Sequence, residues 1–237
     1  MNLILLSNDD FIEPNGVRLS GRRYKHITDV LRSKVGYELN VGIINGKIGQ
    51  GRVMALKDKA VELEIACDQE PPEALPLTLM LALPRPIIVP RIISAVTAMG
   101  VKRIILFHCD RVQKSFWLSP VLKEDKLREA AILGLEQARD TILPEILIRK
   151  RFKPFVEDEI PKFIRGSKAF VAHPDFETSQ PCPSIQGAVT LTIGPEGGFI
   201  PYEIEKLKTS GFTAIYLGKR ILRVETAVTA LITKLSL

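Results

Sequence analysis

The rhythm of apolar and polar positions changes near residue 75. Upstream, the apolar positions fall in short runs of strand length. Residues 2–7 form the first run. Residues 37–44 and 47–56 form two more, joined by Asn45-Gly46, a dipeptide that tolerates the positive backbone angles of a tight hairpin. Residues 60–66 alternate, with Val61, Leu63 and Ile65 on one face and Glu62 and Glu64 on the other. Between these runs, residues 20–33 set Tyr24, Ile27 and Leu31 at helical spacing, which predicts a helix. Residues 1–70 therefore read as a small β-rich barrel domain. Pro71, Pro72, Glu73 and Pro76 mark residues 71–76 as a linker.

Downstream, over residues 77–237, apolar runs alternate with amphipathic segments, the pattern of an α/β domain with a parallel sheet. Strands are expected at 77–83, 102–108, 145–151, 168–172, 189–193 and 213–217. Helices are expected at 90–99, from Ser119-Pro120 to about 139, at 155–165, at 201–210 and from about 223 onward. In the helix ending near 139, Leu127, Ala131, Leu135 and Ala138 share one stripe, and Glu136, Gln137 and Arg139 lie on its polar side.

Two loops stand out. The fully apolar run 189–193 ends in Gly194-Pro195-Glu196-Gly197-Gly198, too many helix breakers for a regular element. The run 213–217 leads into a second loop at 218–222 and then Arg223 and Glu225. The two strand ends are expected to lie side by side at the carboxyl edge of the sheet, where α/β sheets bind ligands. Glycine lets backbone approach a ligand closely. Neither GxGxxG nor GxxxxGK[ST] occurs, which counts against a dinucleotide fold and a P-loop.

Charge and cysteines narrow the picture. The formal net charge of +6 suits a polyanionic partner. Arg18, Arg22, Arg23, Lys25, Arg32 and Lys34 crowd one short stretch opposed only by Asp29, with His26 among them, a candidate phosphate-binding surface. The three cysteines are far apart and show no CxxC spacing, so neither a disulfide framework nor a metal site is expected. No apolar run reaches membrane-spanning length, and the short apolar start lacks the features of a signal peptide, so a cytoplasmic protein is expected.

IGPEGGF and LGKRILRVETAV resemble the carboxyl-terminal signature of the SPOUT methyltransferases, and within them the bacterial 16S rRNA (uracil-N3) methyltransferase family. EQARDTILPEI and KHITDVLR resemble that family's other signatures, so the resemblance runs along nearly the whole chain. It implies a PUA-like RNA-binding barrel followed by a SPOUT domain with a deep trefoil knot. It also implies S-adenosylmethionine as cofactor, a homodimer, and 16S rRNA of the small ribosomal subunit as substrate, without membrane or metal. The cofactor would lie against His173, Ile193, Gly194, Pro195, Gly197, Gly198, Leu217, Gly218, Lys219, Ile221 and Leu222. Gln137 and Arg139 join Arg18, Arg22, Arg23, Lys25, His26 and Arg32 as candidate RNA contacts. Methylation of a uridine N3 needs a base for its proton and a cation for the charge that spreads to the ring oxygens. Glu196 and Glu225 are candidate bases, or else caps of helix amino termini. Arg223 is the candidate cation, because a guanidinium bonds two oxygens at once. TAMG at 97–100, where the family more often has TELG, and the aromatic-rich loop 109–117 depart from the pattern and leave the target nucleotide open.

Overall fold

The computed structural model describes residues 2–236. Met1, where the expected first domain begins, and Leu237, where the second ends, lie outside the described residues. One compact unit holds the chain up to Glu73 together with Ile132–Leu143. The other holds Ala74–Ala131 and the chain from Pro144 onward.

The first unit has six strands: β1 (Ile4–Leu6), β2 (Phe11–Glu13), β3 (Gly16–Ser20), β4 (Glu38–Ile43), β5 (Ile48–Lys57) and β6 (Ala60–Gln69). They join in the order β1-β4-β5-β6-β3-β2. Every strand turns apolar side chains into one core, among them Ile4, Phe11, Val17, Val41, Val53 and Leu63. A single sheet whose strands all face one core is rolled, as in a small barrel. The expected helix over 20–33 is shorter. Ser20 pairs with Ala60 as the end of β3, and only α1 (Gly21–Lys25) and one wide turn (His26–Val30) are helical. Leu31, expected inward, is 42% exposed. Strands β2 and β3 went unread because three and five residues are too few for alternation to stand out.

Buried carboxylates hold this unit together. Asp10 is buried, and it accepts two bonds from the Arg23 guanidinium at 2.5 and 2.6 Å and two from the Ser7 N–H and hydroxyl at 2.7 and 2.8 Å. Glu136, also buried, accepts both arms of Arg22 at 2.9 Å. The Asn45-Gly46 hairpin grips the same segment from the other side: Thr141 Oγ1 donates to the Gly46 carbonyl at 2.5 Å, and Leu143 N–H donates to Asn45 Oδ1 at 2.9 Å.

The second unit alternates strand and helix: β7 (Leu75–Ala82), α2 (Val89–Ala98), β8 (Val101–Phe107), α3 (Glu124–Ala138), β9 (Glu145–Arg149), α4 (Phe152–Pro154), α5 (Ile160–Phe163), β10 (Lys168–Ala172), β11 (Gln180–Pro181), β12 (Val189–Ile193), α6 (Pro201–Thr209), β13 (Thr213–Tyr216) and α7 (Val224–Ser236). The remainder of α3 from Ile132 counts with the first unit. All seven strands pair in parallel in the order β11-β13-β10-β12-β7-β8-β9. β12 is buried throughout, as a central parallel strand covered on both faces must be.

Three expectations need correction. β12 and β13 are not neighbours, because β10 pairs with both and stands between them. Ser119 does not start a long helix. Its side chain caps nothing, the chain makes two short 3-10 turns, and α3 begins only at Glu124. The helix expected at 155–165 is broken into α4, a wide turn at Phe155–Glu159 and α5, with Pro161 in the first turn of α5, where a backbone N–H would have no partner within the helix and its absence costs nothing.

Burial alone would raise the Asp10 carboxyl, but bonds from Arg23 and Ser7, with the Arg23 charge, hold it below the usual carboxylate value. A depressed carboxyl stabilises the fold above its unfolded value of about 3.9, and that stabilisation is lost as pH falls through the folded value. Urea unfolding followed from pH 7 to pH 2 is therefore expected to show a steeper loss below about pH 4 in the wild type than in Asp10→Asn. Parallel curves would remove Asp10 from the acid response.

Candidate active site

The loop after β12 is tied from three directions. Its own turn is closed by Gly198 N–H donating to the Pro195 carbonyl at 2.8 Å. Gly198 has φ +70°, in the left-handed region that favours glycine. At Gly194 a Cβ would stand 3.2 Å from both the Gly198 Cα and the Phe199 ring, so a side chain there would crowd the loop where it folds back on itself. From the segment after β7, Arg85 N–H donates to Glu196 Oε1 at 2.9 Å. From the segment after β8, the Arg111 guanidinium donates to the Gly197 carbonyl.

Glu203 anchors both sides of this arrangement. Its carboxylate is 2% exposed; one oxygen accepts Asp110 N–H at 2.7 Å and the other accepts Ile200 N–H at 3.1 Å. It thus satisfies an otherwise unbonded N–H at the start of α6 while pinning the residue next to Arg111. Burial first, then the Glu203 charge, pushes the Cys109 thiol up to about 12. That thiol is a core group and no nucleophile.

The loop after β13 is irregular from Leu217 to Arg223 and exposed, with Ile221 at 86%. α7 follows, and Glu225 lies in its first turn. Among the described residues the Glu225 side chain and the Arg223 guanidinium make no hydrogen bond or ion pair within the chain.

These two loops and the segment after β10 surround a cavity of about 690 Å³. It is lined by His173, Ile193, Gly194, Pro195, Gly197, Gly198, Leu217, Gly218, Ile221 and Leu222, and by all three candidate catalytic residues, Glu196, Arg223 and Glu225. Lys219 does not line it, since its side chain is exposed at the bend of the loop. Burial pushes the His173 imidazole below its ordinary value, against the opposing pull of the Asp175 carboxylate at 3.8 Å, so it is neutral at pH 7. Glu196 is no helix cap, because α6 starts at Pro201 and Glu196 instead holds the Arg85 backbone. The cavity also takes in Arg85, Ile87, Ile88, Phe199, Tyr216 and Arg220, which sequence reasoning left out. The signal for the first three was Pro84-Arg85-Pro86, a breaker-rich turn after a strand that ends at the same edge.

The candidate RNA residues all belong to the first unit, and they differ in what their charges already do. Arg22 and Arg23 are committed to Glu136 and Asp10, and Arg18 reaches Glu62 at 3.5 Å and Asp58 at 3.8 Å. Lys25, Arg32, Gln137 and Arg139 are exposed, and His26 is half-buried. Arg139 ends α3 at φ +56°.

Comparison with known proteins places this geometry. Residues 71–236 match the RNA methyltransferase domain family, and residues 19–66 match the RNA methyltransferase PUA domain. A ribosomal RNA small subunit methyltransferase E from Treponema pallidum is 30% identical over 97% of this chain and 88% of its own length. The chain belongs to the ribosomal RNA small subunit methyltransferase E family. A second methyltransferase E of this family, from Borreliella burgdorferi, is 26% identical over 97% of this chain and 95% of its own length. The methyltransferase E fold is shared with a Neisseria gonorrhoeae structure of that name bound to S-adenosyl methionine, at TM-score 0.74 and 22% identity over 98% of this chain and 95% of the other. A Legionella pneumophila methyltransferase bound to SAM gives TM-score 0.74 at 24% identity, covering 98% and 95%. The PUA match covers β4, β5 and most of β6, and the methyltransferase match covers every strand from β7 on.

The buried Glu203 gives a direct check. In Glu203→Gln one of the two backbone N–H groups would face an amide N–H₂, leaving a buried donor unpaired at a cost of about 1–3 kcal/mol. Denaturant unfolding is expected to show that loss. A midpoint equal to wild type would mean the carboxylate ties nothing down.

Proposed function

We propose that this chain is an S-adenosylmethionine-dependent methyltransferase that modifies N3 of a uridine in 16S rRNA of the small ribosomal subunit. The observation that carries the reading is the cavity. It is formed by the loops after β12 and β13 with the segments after β7 and β10, and it brings the Arg223 guanidinium together with the Glu196 and Glu225 carboxylates. Its volume lies within the range of small-molecule and cofactor sites, roughly 300–1,000 Å³.

The donor set fits S-adenosylmethionine. Backbone N–H and C=O groups at Gly194 and Gly218 can serve the edges of an adenine, and the apolar faces of Ile193, Leu217, Ile221 and Leu222 suit its ring. The tightness at Gly194, where even a Cβ would be crowded, fits a loop that must keep its backbone close to a ligand. When bound, the cofactor supplies an activated methyl group, so no protein nucleophile or metal is needed. Among the described residues no cluster of His, Cys, Asp and Glu could hold a metal ion.

The chain's own residues then have to position the uridine and manage one proton. Arg223 faces the two ring oxygens that gain charge as N3 loses its proton, and a guanidinium bonds both. Glu225, whose carboxylate makes no hydrogen bond or ion pair among the described residues, is the freer of the two carboxylates to take the proton. Glu196 already accepts the Arg85 N–H and is better placed to hold the loop. The division of labour over residues 1–70, 71–76 and 77–237 belongs to the same reading, with the first domain gripping RNA through Lys25, Arg32, Gln137 and Arg139. So do the homodimer and the knotted topology. No helix among the described residues is long and apolar enough to cross a membrane.

The test is methyl transfer from labelled S-adenosylmethionine to small ribosomal subunits from cells lacking this protein. N3-methyluridine in the 16S rRNA is expected, with Arg223→Ala slowing transfer by roughly a hundredfold or more at unchanged cofactor affinity. Label on another base or RNA would overturn the substrate assignment. Full-rate transfer by Arg223→Ala would remove the role given to that residue. An unimpaired Glu225→Gln paired with an inactive Glu196→Gln would exchange the two carboxylates.

A further inference from the structure

Arg85 and Arg220 have no role in the account above, yet both line the same cavity as Arg223. Both are exposed, and among the described residues neither guanidinium is joined to a carboxylate. The two come from different elements. Arg85 follows β7 and Arg220 follows β13, and the sheet order β13-β10-β12-β7 puts three strand spacings between them. That is about 14 Å at 4.7–4.9 Å per strand. They therefore mark two separate rims of the opening. Next to each stands an isoleucine that is almost wholly exposed, Ile87 at 85% and Ile221 at 86%, and both also line the cavity.

Charge decides what these rims are for. S-adenosylmethionine is positive at sulfur and carries a single carboxylate, which one guanidinium satisfies. Two further arginines at its site would be repelled by the sulfonium. RNA brings one phosphate per nucleotide, and a guanidinium binds phosphate in the same two-pronged way. The pairing of a cation with an exposed apolar side chain matches a nucleotide, whose phosphate is anionic and whose base has apolar faces. A base that is to be methylated on its pairing edge must also leave its stack and partner before it can enter a pocket.

We propose that Arg85 and Arg220 clamp the RNA backbone at the mouth of the cavity, one phosphate on each side of an everted nucleotide, with Ile87 and Ile221 flanking its base. The substrate strand is then locally unpaired at the target. The assignment rests on the methyltransferase reading, because it needs both a cofactor and an RNA at this cavity.

The experiment uses the full chain. RNA binding to a fragment of 16S rRNA is measured across a salt series for wild type, Arg85→Gln, Arg220→Gln, the double variant, and Arg85→Lys with Arg220→Lys. Calorimetry follows S-adenosylmethionine on the same proteins. Each glutamine variant is expected to lower the slope of log affinity against log salt by about 0.7–0.9, with the double variant losing about twice that. The lysine variants keep a point charge and are expected to keep the slope. Cofactor affinity stays at the wild-type value throughout. An unchanged slope in the double variant overturns the clamp. Loss of cofactor affinity with the slope intact also overturns it and assigns the arginines to the cofactor carboxylate. Failure of the wild type itself to bind S-adenosylmethionine sinks the methyltransferase reading instead, and the calorimetry reveals it before any variant is compared.

Discussion

Parallel pairing of β7, β12, β10 and β13 is the constraint on which the second unit depends. Parallel strands all end at one edge of a sheet, and each must be followed by a segment that turns away from it. The registers are tight. Ile193 stands level with Ala172 and Leu81, and Ala172 stands level with Ile215. Four connecting segments therefore leave the sheet at one height. The cavity is the space between them, and its residues come from positions 85 to 231 because the edge gathers them. Nothing local to any one loop would create that space.

The edge sets where the loops start, and buried carboxylates set where they go. Glu203 shows the economy of this. One side chain satisfies a backbone N–H at the start of α6 and another in the segment after β8, so the position of Arg111 and the course of the glycine-rich loop follow from a single group. Glu136 and Asp10 do the same in the first unit, each meeting a guanidinium with both oxygens. A carboxylate removed from water needs such partners, and the backbone or arginine that supplies them is fixed in turn. In the first unit the partners are guanidinium groups, and in the second they are backbone N–H groups.

Much of this was legible in the chain. Apolar runs of strand length separated by amphipathic segments gave away the α/β unit, and the two breaker-rich loops marked the cavity. The segments missed were those where pattern is too short or tertiary pairing decides. β2 and β3 offer three and five residues. The order of β10, β12 and β13 is a property of pairing between residues far apart in sequence, such as Val189 with Lys168 and Thr213 with Phe170, which no local window contains. Arg85 and Ile87 were overlooked for the same reason. They lie more than a hundred residues from Glu196 in sequence and meet it only through the sheet edge.

Charge counting needs the same correction by structure. The run from Arg18 to Lys34 reads as a uniform cationic surface, but three of its arginines are already paired with carboxylates of the same unit. Arg23 faces a buried Asp10, Arg22 a buried Glu136, and Arg18 sits beside Glu62 and Asp58. A phosphate that sought Arg22 or Arg23 would compete with a buried carboxylate already bonded to both arms of the guanidinium, so these two are poorer phosphate partners than an unpaired cation. Among the described residues Lys25, Arg32 and Arg139 in the first unit, and Arg85, Arg220 and Arg223 at the cavity, are exposed cations whose side chains make no ion pair. Phosphate contacts made by such exposed, unpaired charge are strongly salt-dependent, even though the net charge of the whole chain is modest.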